Sequence, residues 1–381
     1  MILVGDGIPL SGISAVAVRT LSAFPEQLPK ALAETVVAEF ADDRVLADAV
    51  VSRGFAHVVR ATCGQVPGVA DRDSALAMYQ MFADTIIDQF LIEFQVIKIA
   101  LDDSSIRVAV PKGIFFAASV YPQLKTPFSR DIDLLVREAD VAAASAVLKD
   151  LGYRTDLVIL DNTPVALPES VLDERSSAFG NFGQGKVFSK LVRAERLDPH
   201  QAFARRFLPR QAAIVNNQVY VRPAFDLHSS LNSVHDTAGR RFRPTEKDWW
   251  SATQSATLRG VNFTAPSDTT IAWFAANHLY TDVMLFGDRS LKLLGDLIAL
   301  VKAGRVDFNE LARIASDYIA LAPSLFYIFR MLRSSFGVNV PADFIDAVNI
   351  PVHASGTDFA DFGDPLAKIL GLRFEVVVDD R

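Results

Sequence analysis

The chain has a single cysteine, Cys63, in 381 residues. That excludes an intrachain disulfide and the multi-cysteine zinc patterns, and a reducing compartment is the simplest expectation. Tryptophan (3), methionine (5) and histidine (6) are also scarce. Positive charge is in deficit: 38 Lys and Arg against 45 Asp and Glu give a formal net charge of −7. A broad basic face is therefore not expected, and a long nucleic acid is not an expected partner. Long apolar runs are missing too. A membrane span needs roughly 20 apolar residues, whereas the most apolar stretch, "YIALAPSLFYIF", contains Pro323 and ends at Arg330. The opening "MILVGDGIPLSG" has no basic residue before its apolar part, unlike an export signal. These gaps lead us to expect a cytoplasmic protein with no membrane partner.

Apolar residues, by contrast, make up 50% of the chain, with 27 phenylalanines. That suffices for large cores, and the length suggests two or three folding units. Residues 25–60 and 73–103 alternate apolar and charged positions at helical spacing, as in "MYQMFADTIIDQFLIEFQVIKIAL". At Arg107 the pattern becomes short and β-branched ("RVAV"), reading as a strand. A two-turn helix "IFFAASVY", a strand "IDLLV" and a helix "READVAAASAVLKDLGY" with Gly152 at its C-terminal end follow. "AAIVNNQVYVRPAFDLHSSL" reads as strands around an Asn216-Asn217 turn. From Ser267 the pattern is helical nearly to Ile345, opening on the capping-type "SDTT". The expected architecture is α+β: an N-terminal helical region (1–105), a core with a small mixed sheet (106–245) and a C-terminal helical domain (246–381). Residues from about 155 to 210 are expected to be an insertion, partly helical and mobile.

Asp131 and Asp133 stand at i and i+2 where the "IDLLV" strand begins, so they share one face. Two such carboxylates suit a pair of Mg²⁺ ions about 3.5–4 Å apart. Taken alone the signal is weak: 45 acids in this chain give about five acidic i, i+2 pairs by chance. A solvated strand end is the competing reading. Context strengthens the metal reading. Lys112-Gly113 lies between strand and helix, where a cation and close backbone approach can meet an anion. Downstream, "AFDLH" offers Asp226 with His228 on the same face. Together these are the parts needed for metal-assisted phosphoryl or nucleotidyl transfer.

"KG", seventeen residues, "DIDLLV" and a later "GY" resemble the nucleotidyltransferase superfamily. They are most similar to the branch of uncharacterised nucleotidyltransferase family proteins, in which an acid followed by Leu-His comes later. The helical tail "APSDTTIAWFAANHLYTDVMLFGDRSLKLLGDLIALV" is similar to that branch as well. The resemblance covers roughly residues 75 to 320. It implies a small mixed sheet with flanking helices and a metal-dependent transfer of a nucleoside monophosphate from a nucleoside triphosphate, with Mg²⁺ or Mn²⁺ as cofactor. By resemblance, Asp131, Asp133 and Asp226 match the metal-binding and catalytic carboxylates. Lys112, Gly113, Arg130 and His228 would contact nucleotide. The wider superfamily has Gly-Ser where this chain has Lys112-Gly113, so no hydroxyl is expected at Gly113 and Lys112 would substitute. An arginine usually precedes the paired acids, and Lys125 and Arg130 both fit that role. The acceptor would be a small molecule or a peptide or protein side chain. Two alternatives stay open: a non-catalytic nucleotide- or partner-binding module on the same fold, and a toxin–antitoxin-type nucleotidyltransferase.

Other motifs have plainer readings. "GNFGQGKV" fits the G-x-x-x-x-G-K part of a phosphate loop, but Val187 replaces the metal-holding Ser or Thr, which favours an ordinary loop or lid. His278 is read as an interhelical histidine, and Lys292 as a helix-surface lysine able to reach a phosphate. Asp296 falls on the same apolar tail. The basic run "RAERLDPHQAFARRF" reads as a solvated helix face, and Cys63 as structural.

Overall fold

A computed structural model describes residues 2–4, 8–10, 12–38, 43–67, 69, 74–121, 129–168, 171, 184–232, 244–288, 290–349 and 363–370. After a short antiparallel pair, β1 (Ile2–Val4) and β2 (Ile8–Leu10), four helices follow: α1 (Gly12–Ala23), α2 (Lys30–Val37), α3 (Asp43–Ser52) and α4 (Ala56–Cys63). The long α5 (Ala75–Asp103) starts at Ser74, whose hydroxyl caps the Ala77 amide at 3.2 Å. Its Leu76, Tyr79, Phe82, Ile86, Phe90, Phe94, Ile97 and Leu101 recur at three- and four-residue steps and are all buried. They form the apolar face that the sequence pattern predicts.

The strand expected at Arg107–Val110 is reduced to a single bridge, Ala109 to Leu135. Pro111 has no amide to extend the ladder, and the Val110 amide bonds instead to the Thr264 carbonyl at 2.8 Å. Next come α6 (Ile114–Ser119), β3 (Ile132–Leu135) and α7 (Val141–Asp150). Residues 157–207 hold β4 (Leu157–Leu160), β5 (Thr163–Ala166), β6 (Gln184–Ser189), β7 (Val192–Arg193) and α8 (Gln201–Phe207). The Asn216-Asn217 turn joins β8 (Ala212–Val215) to β9 (Gln218–Val221), with φ of 50° and 58° as a two-residue hairpin requires. β10 (Ala224–His228) follows Pro223 as a separate strand.

The sheet that carries Asp133, Asp226 and His228 has the order β3-β10-β6. β10 runs parallel to β3 and antiparallel to β6, so the sheet is small and mixed, as expected. The presumed insertion therefore supplies an edge strand of this sheet. Periodicity alone could not show that, because β6 ("QGKVFS") carries Gly185 and Lys186 rather than an apolar run. The same fact removes the phosphate-loop reading. Lys186 lies inside β6 opposite Leu227, and no helix follows it directly; residues 180–183 of that motif fall outside the described residues.

The C-terminal part begins with α9 (Glu246–Ser251) and a hairpin, β11 (Thr253–Leu258) and β12 (Val261–Pro266), where only helix was expected. Then come α10 (Asp268–Met284), α11 (Lys292–Lys302), α12 (Phe308–Asp317), α13 (Ala322–Phe336), α14 (Ala342–Val348) and α15 (Leu366–Leu370). The Ser267 hydroxyl caps α10 by accepting the Thr270 amide at 3.2 Å. One apolar core runs through all three parts, from Ala15 to Leu370, and includes Cys63.

Candidate active site

β3 and β10 lie side by side with Asp133 in register with Asp226. Opposed residues of a parallel pair share a face, and the i+2 step puts His228 on that face too. Both strands are buried along their length, so the two acids are held inside the protein: Asp133 is 1% exposed and Asp226 8%. One ligand atom from each of Asp133, Asp226 and His228 lies within 4.8 Å of the others.

The Oδ1 of Asp133 has two partners. Lys112 Nζ lies 3.2 Å from it, and His228 Nε2 donates to it at 3.0 Å. Its Oδ2, also buried, accepts no hydrogen bond among the described residues. Leaving such an oxygen unmet costs roughly 1–3 kcal/mol, so it marks a place where a ligand has something to gain.

The charges are strongly coupled. Burial disfavours an ionised Asp133, but Lys112 and His228 outweigh it and hold the carboxyl well below the usual range. Burial, then the charges of Asp131 and Asp133, push Asp226 up to about 8. Burial opposes the Lys112 ammonium as well, yet the surrounding aspartates, Asp133 first, keep its pKa above the ordinary value. His228 is likewise raised: burial pulls it down, and the bond and charge of Asp133 pull it up further. One carboxylate is thus kept ionised while its in-register neighbour retains a proton near neutral pH.

A cleft of about 570 Å³, counting space open to solvent, reaches Asp133, with Asp226 and His228 behind it rather than in its lining. Lys112, Gly113, Ser129, Asp131 and Asp133 line one wall, and His278, Asp282, Asp288, Ser290 and Lys292 the other. Gly113 sits at φ 60°, ψ −103°, a conformation open to glycine. A Cβ there would also press on Ser129 Oγ at 3.3 Å. Ser129 thus brings a hydroxyl beside Gly113, where the sequence alone offered none; that hydroxyl donates to the Asp131 carbonyl at 2.7 Å.

The structure gathers most of the predicted residues. Lys112, Gly113, Asp131 and Asp133 line the cleft, and Asp226 and His228 stand beside Asp133. Asp131 lies outside the tight three-donor group, although its charge reaches both Asp226 and Lys112. Arg130 is exposed and is not part of the cleft lining. Lys125 lies outside the described residues.

Sequence reasoning undervalued the second wall. His278 pairs with Asp282 at 3.2 Å, and Lys292 reaches the fully buried Asp296 at 3.8 Å. The Tyr121 hydroxyl holds the other oxygen of Asp296 at 2.5 Å. Both helical pairs are i, i+4, so the signal was there, but the same spacing serves ordinary helix-surface ion pairs. Arg222, whose charge acts on Asp226 and Asp131, was missed entirely.

Comparison with known families bears on the whole of this region. A family model described as uncharacterised nucleotidyltransferase matches residues 47–337. The chain belongs to that family. No curated protein and no solved structure matches it. Members of a nucleotidyltransferase family imply a nucleoside triphosphate and a divalent metal ion. The donor set fits such an ion: two buried carboxylates and an imidazole, with the Oδ2 of Asp133 unmet by any hydrogen bond among the described residues. No helix among the described residues is long and apolar enough to cross a membrane.

Proposed function

We propose that this nucleotidyltransferase family member moves a nucleoside monophosphate from a nucleoside triphosphate onto a hydroxyl or phosphate of a small molecule, or onto a peptide or protein side chain. The observation that carries the proposal is the in-register pairing of Asp226 with Asp133 at a cleft that also holds Lys112, Gly113 and Asp131. Lys112 would meet the triphosphate as a point charge, and Gly113 lets phosphate oxygens approach the backbone. Asp131, Asp133 and Asp226 would hold the divalent ion, Mg²⁺ or Mn²⁺, which supplies Lewis-acid stabilisation of charge developing on the phosphoryl oxygens. Asp226 would accept the proton of the attacking hydroxyl as the new O–P bond forms and pyrophosphate leaves. The overall negative charge of the chain favours a compact acceptor over a long polyanion.

The test is Asp226→Ala, with nucleotide binding followed by calorimetry and transfer by label from an α-phosphate-labelled triphosphate offered to hydroxyl and peptide acceptors. Binding should persist, because Asp131 and Asp133 remain, and transfer should fall by at least about 100-fold. Undiminished transfer by the variant would remove Asp226 from the chemistry. One observation favours a second reading, a nucleotide-binding module without turnover: Lys112 already neutralises Asp133. That reading expects triphosphate binding with no label transfer and no pyrophosphate release.

A further inference from the structure

Building on the divalent-metal reading above, we propose that His228 is itself a metal ligand. Asp133, Asp226 and His228 then form a mixed carboxylate–imidazole site that selects a first-row transition dication, such as Mn²⁺, over Mg²⁺.

Three features of the structure carry this. First, the tightest donor group at the site is not the set of three carboxylates. Asp131, the partner of Asp133 in the sequence motif, stays outside it, and a ring nitrogen takes the third place. Second, the spacing suits adjacent ligands of one ion. His228 Nε2 and Asp133 Oδ1 are 3.0 Å apart. Two neighbouring vertices of an octahedron with bonds of 2.0–2.1 Å lie about 2.9 Å apart. The contact that is now a hydrogen bond has the length of a shared coordination edge. Third, the donors are fixed by backbone, since both strands are buried and paired in register. Burial of His228 limits how far its imidazole can turn. The unmet Oδ2 of Asp133 supplies the independent sign that a ligand belongs here.

The chemical consequence follows from donor type. Mg²⁺ is a hard ion that takes oxygen ligands and retains water. Imidazole suits transition dications, and for mixed nitrogen and oxygen donors affinity rises along the first row from Mn²⁺. A site with one buried nitrogen donor should therefore rank Mn²⁺ above Mg²⁺, and later ions above Mn²⁺. Coordination requires His228 to give up the proton it shares with Asp133.

The experiment uses the full chain without nucleotide, so it does not depend on any transfer activity. Mn²⁺ bound to the wild-type protein should show pulsed-EPR modulation from a directly coordinated ¹⁴N, replaced by the ¹⁵N pattern when histidine is ¹⁵N-labelled. His278 also lines the cleft, so His278→Gln must retain the signal while His228→Gln loses it. The His228→Gln change should weaken Mn²⁺ binding by about 10–100-fold and alter Mg²⁺ binding much less. If His228→Gln does not fold, the labelled wild-type protein and His278→Gln still decide the matter. Absence of nitrogen coupling in the wild-type protein, survival of the coupling in a folded His228→Gln protein, its loss in His278→Gln, or equal Mn²⁺ and Mg²⁺ affinities would each overturn the assignment. Nucleotidyl transfer supported by Mg²⁺ without nitrogen coupling would overturn this inference and leave the proposed function standing. Coupling without any transfer would do the reverse.

Discussion

Lys112 is paired within the fold and, in the proposed function, would also meet the triphosphate, and the two demands can be separated. Its ammonium lies 3.2 Å from a carboxylate that is almost wholly buried. Removing one partner of a buried pair leaves the other uncompensated, at a cost of about 3–5 kcal/mol. His228 shares the same oxygen and should absorb part of that cost. Lys112→Met is therefore expected to lower the melting temperature clearly, and a divalent ion should restore much of the loss by supplying the missing positive charge. Thermal melts with and without metal check this. A variant as stable as the wild type in both conditions would show that the pair contributes nothing to folding. From sequence, Lys112 read only as a phosphate contact, because the acid it would meet lay twenty-one positions away with no visible geometry.

Asp226 gives a pH signature with a definite sign. Its carboxyl is pushed up to about 8 in the folded chain, against roughly 4 when unfolded. Between those values the folded state keeps a proton that the unfolded state has released. Its contribution to stability is therefore full below about pH 4 and is lost as pH rises toward 8. The loss amounts to a few kcal/mol, on the order of 1.4 per unit of displacement. Asp226→Asn cannot ionise, so the variant should gain on the wild type steadily from about pH 5 to 8. Bound metal should flatten that difference, because it favours the ionised carboxylate. His57, buried and lowered to about 3 by burial and then by Lys292, slopes the opposite way below pH 6.5. It does so in both proteins and cancels in the comparison. Denaturant midpoints at a series of pH values read the result, and parallel curves for the two proteins would refute it.

At the scale of elements, the turns were the most legible part of the chain and the sheet edge the least. Asn216-Asn217 announces a hairpin because few other residues accept two successive positive φ angles, and the hairpin is there. "IDLLV" and the long helix 75–103 were equally readable from their periods. β6 was not, because an edge strand with one protected face need not be apolar, and Lys186 and Gly185 masked it. The hairpin of β11 and β12 escaped for a similar reason: "TQSATLRGVNFTAP" is polar on alternate positions and marks its turn with Arg259-Gly260. Gly113 shows the value of reading a turn residue by its backbone. At φ 60° any side chain is strained, at roughly 1–3 kcal/mol. Gly113→Ala is expected to lose stability in that range and to weaken triphosphate binding, since the added methyl stands at the cleft wall against Ser129. Calorimetry of folding and of binding on the same sample tests both halves, and unchanged nucleotide affinity would remove this turn from the phosphate site.

For the whole molecule, the sequence suggested three parts and the structure shows how closely they are joined. The Ser14 hydroxyl bonds to the Leu370 carbonyl at 2.8 Å, and the Leu291 amide to the Arg53 carbonyl at 2.7 Å. Gly295 lets α11 pack within contact of Val58 and Leu21; a Cβ there would stand 3.2 Å from Val58. Periodicity could show that each helix has an apolar face but not which distant face would cover it. Because one core runs from the first helix to the last, heating should unfold the chain in a single transition. Residues 106–245 expressed alone should lack a fixed fold, as they would expose the surfaces that α5 and β12 cover. Calorimetry of the full chain and NMR dispersion of the fragment would decide, and two resolved melting steps would contradict the expectation.

The order β3-β10-β6 also constrains how the protein is made. β10 is the middle strand, yet it is the last of the three to leave the ribosome. Until residue 228 emerges, β3 and β6 have no common partner, and Asp133 faces water without the strand that carries Asp226 and His228. Asp133 and Asp226 are 93 positions apart. Closing a loop of that length costs about 4 kcal/mol in chain entropy, before any constant term. An incomplete chain therefore holds the paired acids but not the third, and a truncated translation product should be unable to bring Asp133, Asp226 and His228 together.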